Sequence, residues 1–166
     1  MYQIGEWIVY GNDGVCKVEA VGILDIPGVN KGKVYYTLCP AFRNGKIFTP
    51  VDTNVFMRPV ITFDKVQELI SLVPFIGENV YNNPNKKLLE DHYQEFFQTH
   101  DCSDLIKIIK SVYTKKVDAA DQGKKLGQMD ERFMKRAEDL LFGEFAVVLG
   151  IPKESVKSYI VGNLKK

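Results

Sequence analysis

Residues 5–24, GEWIVYGNDGVCKVEAVGIL, decide the first half of the fold. Gly11-Asn12-Asp13-Gly14 interrupts two apolar runs, and its Asp-Gly pair tolerates the positive φ of a tight hairpin. The second run sets Val and Cys beside Lys17 and Glu19, the alternation of a half-buried strand. The pattern continues outward. PGVNKGK (27–33) turns the chain into VYYTLCPAF (34–42), Asn44-Gly45 turns it into KIFTPV (46–51), and a last short strand is expected from Val55 to Arg58. Five short antiparallel strands in some sixty residues are too few for a sandwich and enough for a small barrel. The fold class predicted is α+β: an SH3- or Tudor-like five-stranded antiparallel β-barrel over residues 1–60, followed by an all-helical bundle.

After Pro59 the period changes from two to that of a helix. Thr62 is placed to cap a helix carrying Val66, Leu69, Ile70 and Val73, ended by Pro74. IGENVYNNPNKK (76–87) has the Asn, Gly and Pro content of a linker, so residues 61–85 are expected to be a connecting helix and linker, and 86–166 the helical domain. Leu88, Leu89, His92, Tyr93, Phe96 and Phe97 form one stripe. Asp101 or Ser103 can cap a second helix, with Leu105, Ile106, Ile108, Ile109, Val112 and Tyr113. KKVDAADQGKKLGQ (115–128) is expected to be a loop or frayed end. A long helix with Phe133, Ala137, Leu141 and Phe145 inward should end at Gly150, and Pro152 should open a final helix with Val156, Tyr159, Ile160 and Leu164 inward.

Composition narrows the function. The 166 residues are 45% hydrophobic and 26% charged, ordinary for a globular protein. No run approaches the ~18 apolar residues of a membrane span, and MYQIGEW lacks the basic-then-apolar signature of an export signal. A soluble, cytoplasmic protein is expected, with no membrane partner. Cys16, Cys39 and Cys102 are odd in number and without a CxxC pair; Cys16 and Cys39 fall in strand-like runs, as small buried hydrophobes. The net charge is only +1, so any nucleic-acid contact must come from local clusters.

Catalytic patterns are missing from the sequence. It contains no GxxxxGK[ST], GxSxG, HExxH or helix-opening GxGxxG. His92 reads as the flank of an apolar helix face and His100 as part of a turn before Asp101. We expect no enzyme activity, no cofactor, no metal and no small-molecule substrate. Basic residues do cluster. Lys107, Lys110, Lys115 and Lys116 along the second helix of the bundle, Lys124 and Lys125 in the loop, and Arg132, Lys135 and Arg136 opening the long helix can, with Lys86 and Lys87, make a phosphate-contacting face, though Asp118, Asp121, Asp130, Glu131, Glu138 and Asp139 interleave with them as on a solvated surface.

The opening IGEWIVYGNDGVCKVEAV resembles the start of CarD/CdnL-type bacterial transcription regulators, YYTLCP and KIFTPVDTN look like that family's later strands, and ERFMKRAEDLLFGEFAVVLG is similar to its long helix at Arg132, Ala137, Leu141, Gly143 and Glu144. The resemblance implies that the barrel docks on the β subunit of RNA polymerase by edge-strand pairing, near the second and fourth strands, through Leu24, Asp25, Ile26, Ile47 and Phe48. Relatives often carry arginine where this chain has Leu24 and Phe48, so the patch expected is apolar. It implies too that the helical domain touches upstream promoter DNA without reading its sequence, here through Lys86, Lys87, Lys124, Lys125 and Arg132, and so modulates open-complex stability. The family's minor-groove tryptophan has no counterpart, since the only Trp is Trp7. The alternative is a protein- or RNA-binding adaptor that never touches promoters.

Overall fold

The computed structural model describes residues 1–77 and 80–164. The linker expected over residues 76–87 therefore includes Glu78 and Asn79, which lie outside the described residues. Five strands come first, β1 (Trp7–Tyr10), β2 (Gly14–Gly22), β3 (Tyr35–Pro40), β4 (Ile47–Pro50) and β5 (Met57–Pro59). Five α-helices follow, α1 (Phe63–Leu72), α2 (Lys86–Gln98), α3 (Cys102–Asp121), α4 (Gln128–Leu149) and α5 (Val156–Leu164), with 3-10 turns at Val73–Phe75 and Lys153–Ser155. The protein is α+β.

The antiparallel sheet has the order β4-β3-β2-β1-β5. Each turn glycine predicted to need a positive φ has one: Gly14 sits at 85° and Gly45 at 105°. The closed barrel does not form. The outer strands β4 and β5 are four and three residues long, lie at opposite margins, and share no ladder among the described residues. The flank of β5 turns instead to the helical half, where Arg58 binds Glu144. The sheet is nonetheless strongly coiled. In a flat sheet β1 and β4 would stand about 14 Å apart, at ~4.8 Å per strand, yet the Tyr10 hydroxyl donates to Thr49 Oγ1 at 3.1 Å. Ile8, Cys16, Val18, Tyr36 and Leu38 fill the hollow this curl creates.

The helices share a second core. Val66, Leu69 and Ile70 of α1 meet Tyr93, Phe97, Ile108, Val112, Phe133, Ala137, Leu141, Phe145 and Val156. The caps fall where the sequence puts them: Thr62 Oγ1 accepts from Lys65 N–H and Asp101 from Ser103 N–H. The loop expected over 115–128 is mostly helix, because α3 continues to Asp121. It ends on Gly123 at φ 68°, with Lys124 N–H bonded to the Ala119 carbonyl and Gly123 N–H to that of Ala120. That is a Schellman stop, and the glycine is its signal. Leu164, expected inward on α5, is 38% exposed.

The two cores meet where α4 crosses the sheet. A Cβ on Gly143 would lie 3.1 Å from the Phe42 ring, and one on Gly14 3.3 Å from Leu140 Cδ2. Gly143 is what lets the loop after β3 rest directly on α4.

Candidate functional site

Backbone hydrogen bonding leaves β4, one of the sheet's two outer strands, with an unpaired edge among the described residues. In its ladder with β3, Thr49 pairs with Tyr36 and Phe48 with Thr37, and Val51 N–H bonds to the Val34 carbonyl in the same register. Antiparallel ladders alternate, so Ile47 and Thr49 bond inward and Phe48 directs its N–H and C=O to the outer edge. Among the described residues β4 pairs with β3 alone. Phe48 is 43% exposed, whereas Ile47 packs on the sheet core. Pro50 has no N–H, so the open edge offers little beyond Phe48 and the carbonyls beside it.

Leu24, Asp25 and Ile26 are placed differently from the strand expected. The ladder of β2 ends at the Gly22–Tyr35 pair, and these residues belong to the connection to β3, with Asp25 ion-paired to Lys31 at 3.2 Å. Nor does β2 have a free edge, being enclosed by β1 and β3. What joins these residues to β4 is position: Gly22, Tyr35 and Pro50 form one end of the sheet, and Leu24–Ile26 run on from that end.

The expected phosphate-contacting residues divide into separate places. Lys86 and Arg132 line one groove between α2 and the start of α4, with Asn83 and Met129. Lys124 and Lys125 line another, beside Lys115 and Asp118. Lys87 is exposed and bound to Asp91 at 3.1 Å. Arg132, over the ring of Phe133, also borders a cleft between sheet and helices.

Sequence reasoning missed what fastens the two halves together. Arg58 Nη1 and Nη2 donate to Glu144 at 2.6 and 2.8 Å, and Arg58 Nε donates to the His100 carbonyl. Glu144, 2% exposed, also accepts from Ile61 N–H at 2.9 Å and from the Cys102 thiol. Burial opposes the charge on Arg58, yet the carboxylate outweighs it and raises the guanidinium above its ordinary value. Burial and then the Glu144 charge push the Cys102 thiol up. Only the resemblance of α4 at Gly143 and Glu144 marked this spot.

A second buried network stands inside the bundle. Lys115 donates to Asp130 at 2.8 Å and to the Tyr81 carbonyl at 2.9 Å, and the Tyr93 hydroxyl donates to Asp130 at 2.5 Å. Burial and then Asp130 raise the Tyr93 hydroxyl. Every group has its partner, the pattern of a structural pin. His92 stacks on Tyr81 at 4.0 Å, and His100, at φ 54°, stacks on Phe56 at 4.1 Å, both as parts of packed aromatic pairs. Cys16 is buried and its thiol pushed up to about 11. Cys39, expected buried, is half-buried and donates to Glu19. Among the described residues no helix is long and apolar enough to cross a membrane, and no three His, Cys, Asp or Glu converge as a metal site.

Residues 2–61 match the family model of the CarD-like/TRCF RID domain, a class of RNA polymerase-interacting domain. The match covers the whole sheet and stops as α1 begins. No curated protein matches the chain.

Proposed function

We propose, from the match of residues 2–61 to the CarD-like/TRCF RID domain model, that this chain is a non-enzymatic transcription regulator that docks on the β subunit of bacterial RNA polymerase along the outer edge of β4. The observation carrying this reading is that unpaired edge, with Phe48 presenting main-chain groups and an exposed ring to a partner strand. Leu24 and Ile26 extend the same end of the sheet with half-buried apolar side chains. The helical half then holds Lys86, Lys87, Lys124, Lys125 and Arg132 near upstream promoter DNA, where phosphate contacts give affinity without sequence readout. Regulation follows from tighter binding to the open than to the closed complex, and is bounded by that difference.

The test is retention of the polymerase β subunit by the purified protein. Phe48→Asp and Ile26→Asp should abolish it while the circular dichroism spectrum stays that of the parent. Equal retention by both variants would remove the proposed docking edge. For DNA, charge reversal at Lys86, Lys87 and Arg132 should weaken polymerase-promoter complexes and flatten their salt dependence.

One observation favours the adaptor reading, in which the chain binds protein or RNA away from promoters. Trp7 cannot serve as a wedge, because it sits half-buried in β1 with Lys17 Nζ 5.6 Å from its ring. A fluorescence assay of promoter opening separates the two readings, since only the regulator changes it.

A further inference from the structure

Where the loop after β3 rests on α4, a cleft of about 360 Å³ opens between the two halves of the molecule. One wall is the Asn12–Gly14 turn with Phe42 and Arg43; the other is a single face of α4, bearing Arg132, Lys135, Arg136 and Asp139 at helical spacing, with Lys153 closing the end. Five cationic side chains line it against two carboxylates. The carboxylates are already engaged, Asp13 by Arg43 at 2.9 Å and Asp139 by Lys153 at 3.2 Å. Arg132, Lys135 and Arg136 have no carboxylate partner among the described residues. Three like charges within two turns of one helix repel each other.

We propose that this cleft is a phosphate-binding site, in which Arg132, Lys135 and Arg136 of α4, together with the sheet-borne Arg43, receive the phosphate groups of a polyanion. Guanidinium groups match phosphate oxygens in paired hydrogen bonds, and three of the four cations are arginines. Arg136 lines the cleft with its guanidinium 4.3 Å from the Phe97 ring centre and donating to Gln94 Oε1 at 3.5 Å, so neutral groups and not an acid hold it. Burial and then the Arg132 charge lower Arg136 from its ordinary value, a penalty that an anion in the cleft would relieve. Because the walls come from both halves, an occupant holds the sheet and α4 together. The cleft has the volume of a small-ligand site. Arg132 also borders the groove of Lys86, which gives a longer polyanion a continuous path. A free polyphosphate compound and a DNA backbone therefore offer the same chemistry. Polymerase docking plays no part in this inference.

The experiment titrates the isolated full chain, by calorimetry at ~0.15 M salt, with tripolyphosphate and separately with a short duplex of arbitrary sequence. The parent should bind at least one of them saturably. Arg132→Gln with Lys135→Gln, both at exposed positions, should weaken that binding about tenfold or more, the scale of losing two charge-assisted contacts. Arg43→Gln should weaken it from the opposite wall, and Lys65→Gln on α1 should leave it unchanged. Loss confined to tripolyphosphate assigns the site to free phosphate compounds, and loss of duplex binding assigns it to the DNA backbone. Absence of saturable binding by either probe, or equal affinity in the cleft variants, overturns the proposal.

Discussion

Arg58, in the three-residue strand β5, grips Glu144, sixteen residues into α4, through two hydrogen bonds of 2.6 and 2.8 Å. This pair joins the sheet to the bundle. The carboxylate is almost fully buried and holds Ile61 N–H at the start of the helical half as well. Sheet and helices are thereby set in one orientation, which fixes the β4 edge relative to the basic face of α4.

Removing one partner of a buried pair strands the other charge. Glu144→Ala should cost about 3–5 kcal/mol, seen as a fall in Tm of roughly 10 °C for a chain of this size. Adding Arg58→Met should recover part of the loss. Recovery stays incomplete because Ile61 N–H still lacks its acceptor, at a cost of about 1–3 kcal/mol. A Glu144→Ala protein that melts with the parent would show the pair to be marginal.

Phe48→Pro, set beside Phe48→Ala, which removes the ring alone, separates the edge from the side chain. The outward N–H of Phe48 takes no part in the β3–β4 ladder, so proline there removes an edge donor and no ladder bond. Denaturant stability should change by less than about 1 kcal/mol, while retention of the polymerase β subunit should fall to background. Retention by the proline variant equal to that of Phe48→Ala would show that side chains alone make the contact.

The Lys115–Asp130–Tyr93 network predicts a cost within the bundle. Asp130→Asn leaves the Lys115 ammonium buried beside the Tyr81 carbonyl, and should destabilise by about 3–5 kcal/mol. Calorimetry should show the transition moving down without a change in helix content at low temperature. Tyr93→Phe removes one hydroxyl donor and should cost less, about 1–2 kcal/mol.

Burial lowers both imidazoles, His92 against Tyr81 and Phe96, and His100 against Phe56, with Arg58 adding to the shift at His100. A folded value below the unfolded one means that the folded state binds fewer protons. The neutral rings' contribution is complete above about pH 6.5 and is lost as pH falls through the lowered folded values. Stability measured by urea should therefore decline from about pH 7 to about pH 5. His92→Phe with His100→Asn, the latter tolerant of the left-handed φ, should flatten that slope. An unchanged slope would place its origin elsewhere.

Much of the architecture was written in local signals. Gly14 and Gly45 at their turns, Thr62 and Asp101 at their caps, and Gly150 at the end of α4 act within a few residues of themselves, so a linear reading finds them. Gly123 carries the same kind of signal, masked by the lysines and aspartates around it, which resemble a loop until Lys115 is seen to be buried. The apolar stripes of α2, α3 and α4 likewise announced which faces meet.

Sequence alone thus determined most of the strands, the order of the helices, the stops at Pro74 and Gly150 and the absence of a familiar catalytic pattern from the sequence. Tertiary structure decided whether the sheet closes, which groups the outer strand β4 presents at its free edge, and which cations share a cleft. Those outcomes depend on groups far apart in the chain: Arg58 and Glu144 are 86 residues distant, and Tyr10 and Thr49 are 39. Such pairs leave no periodicity to read. They exist because a buried charge or hydroxyl must find a partner once folding has removed water from it.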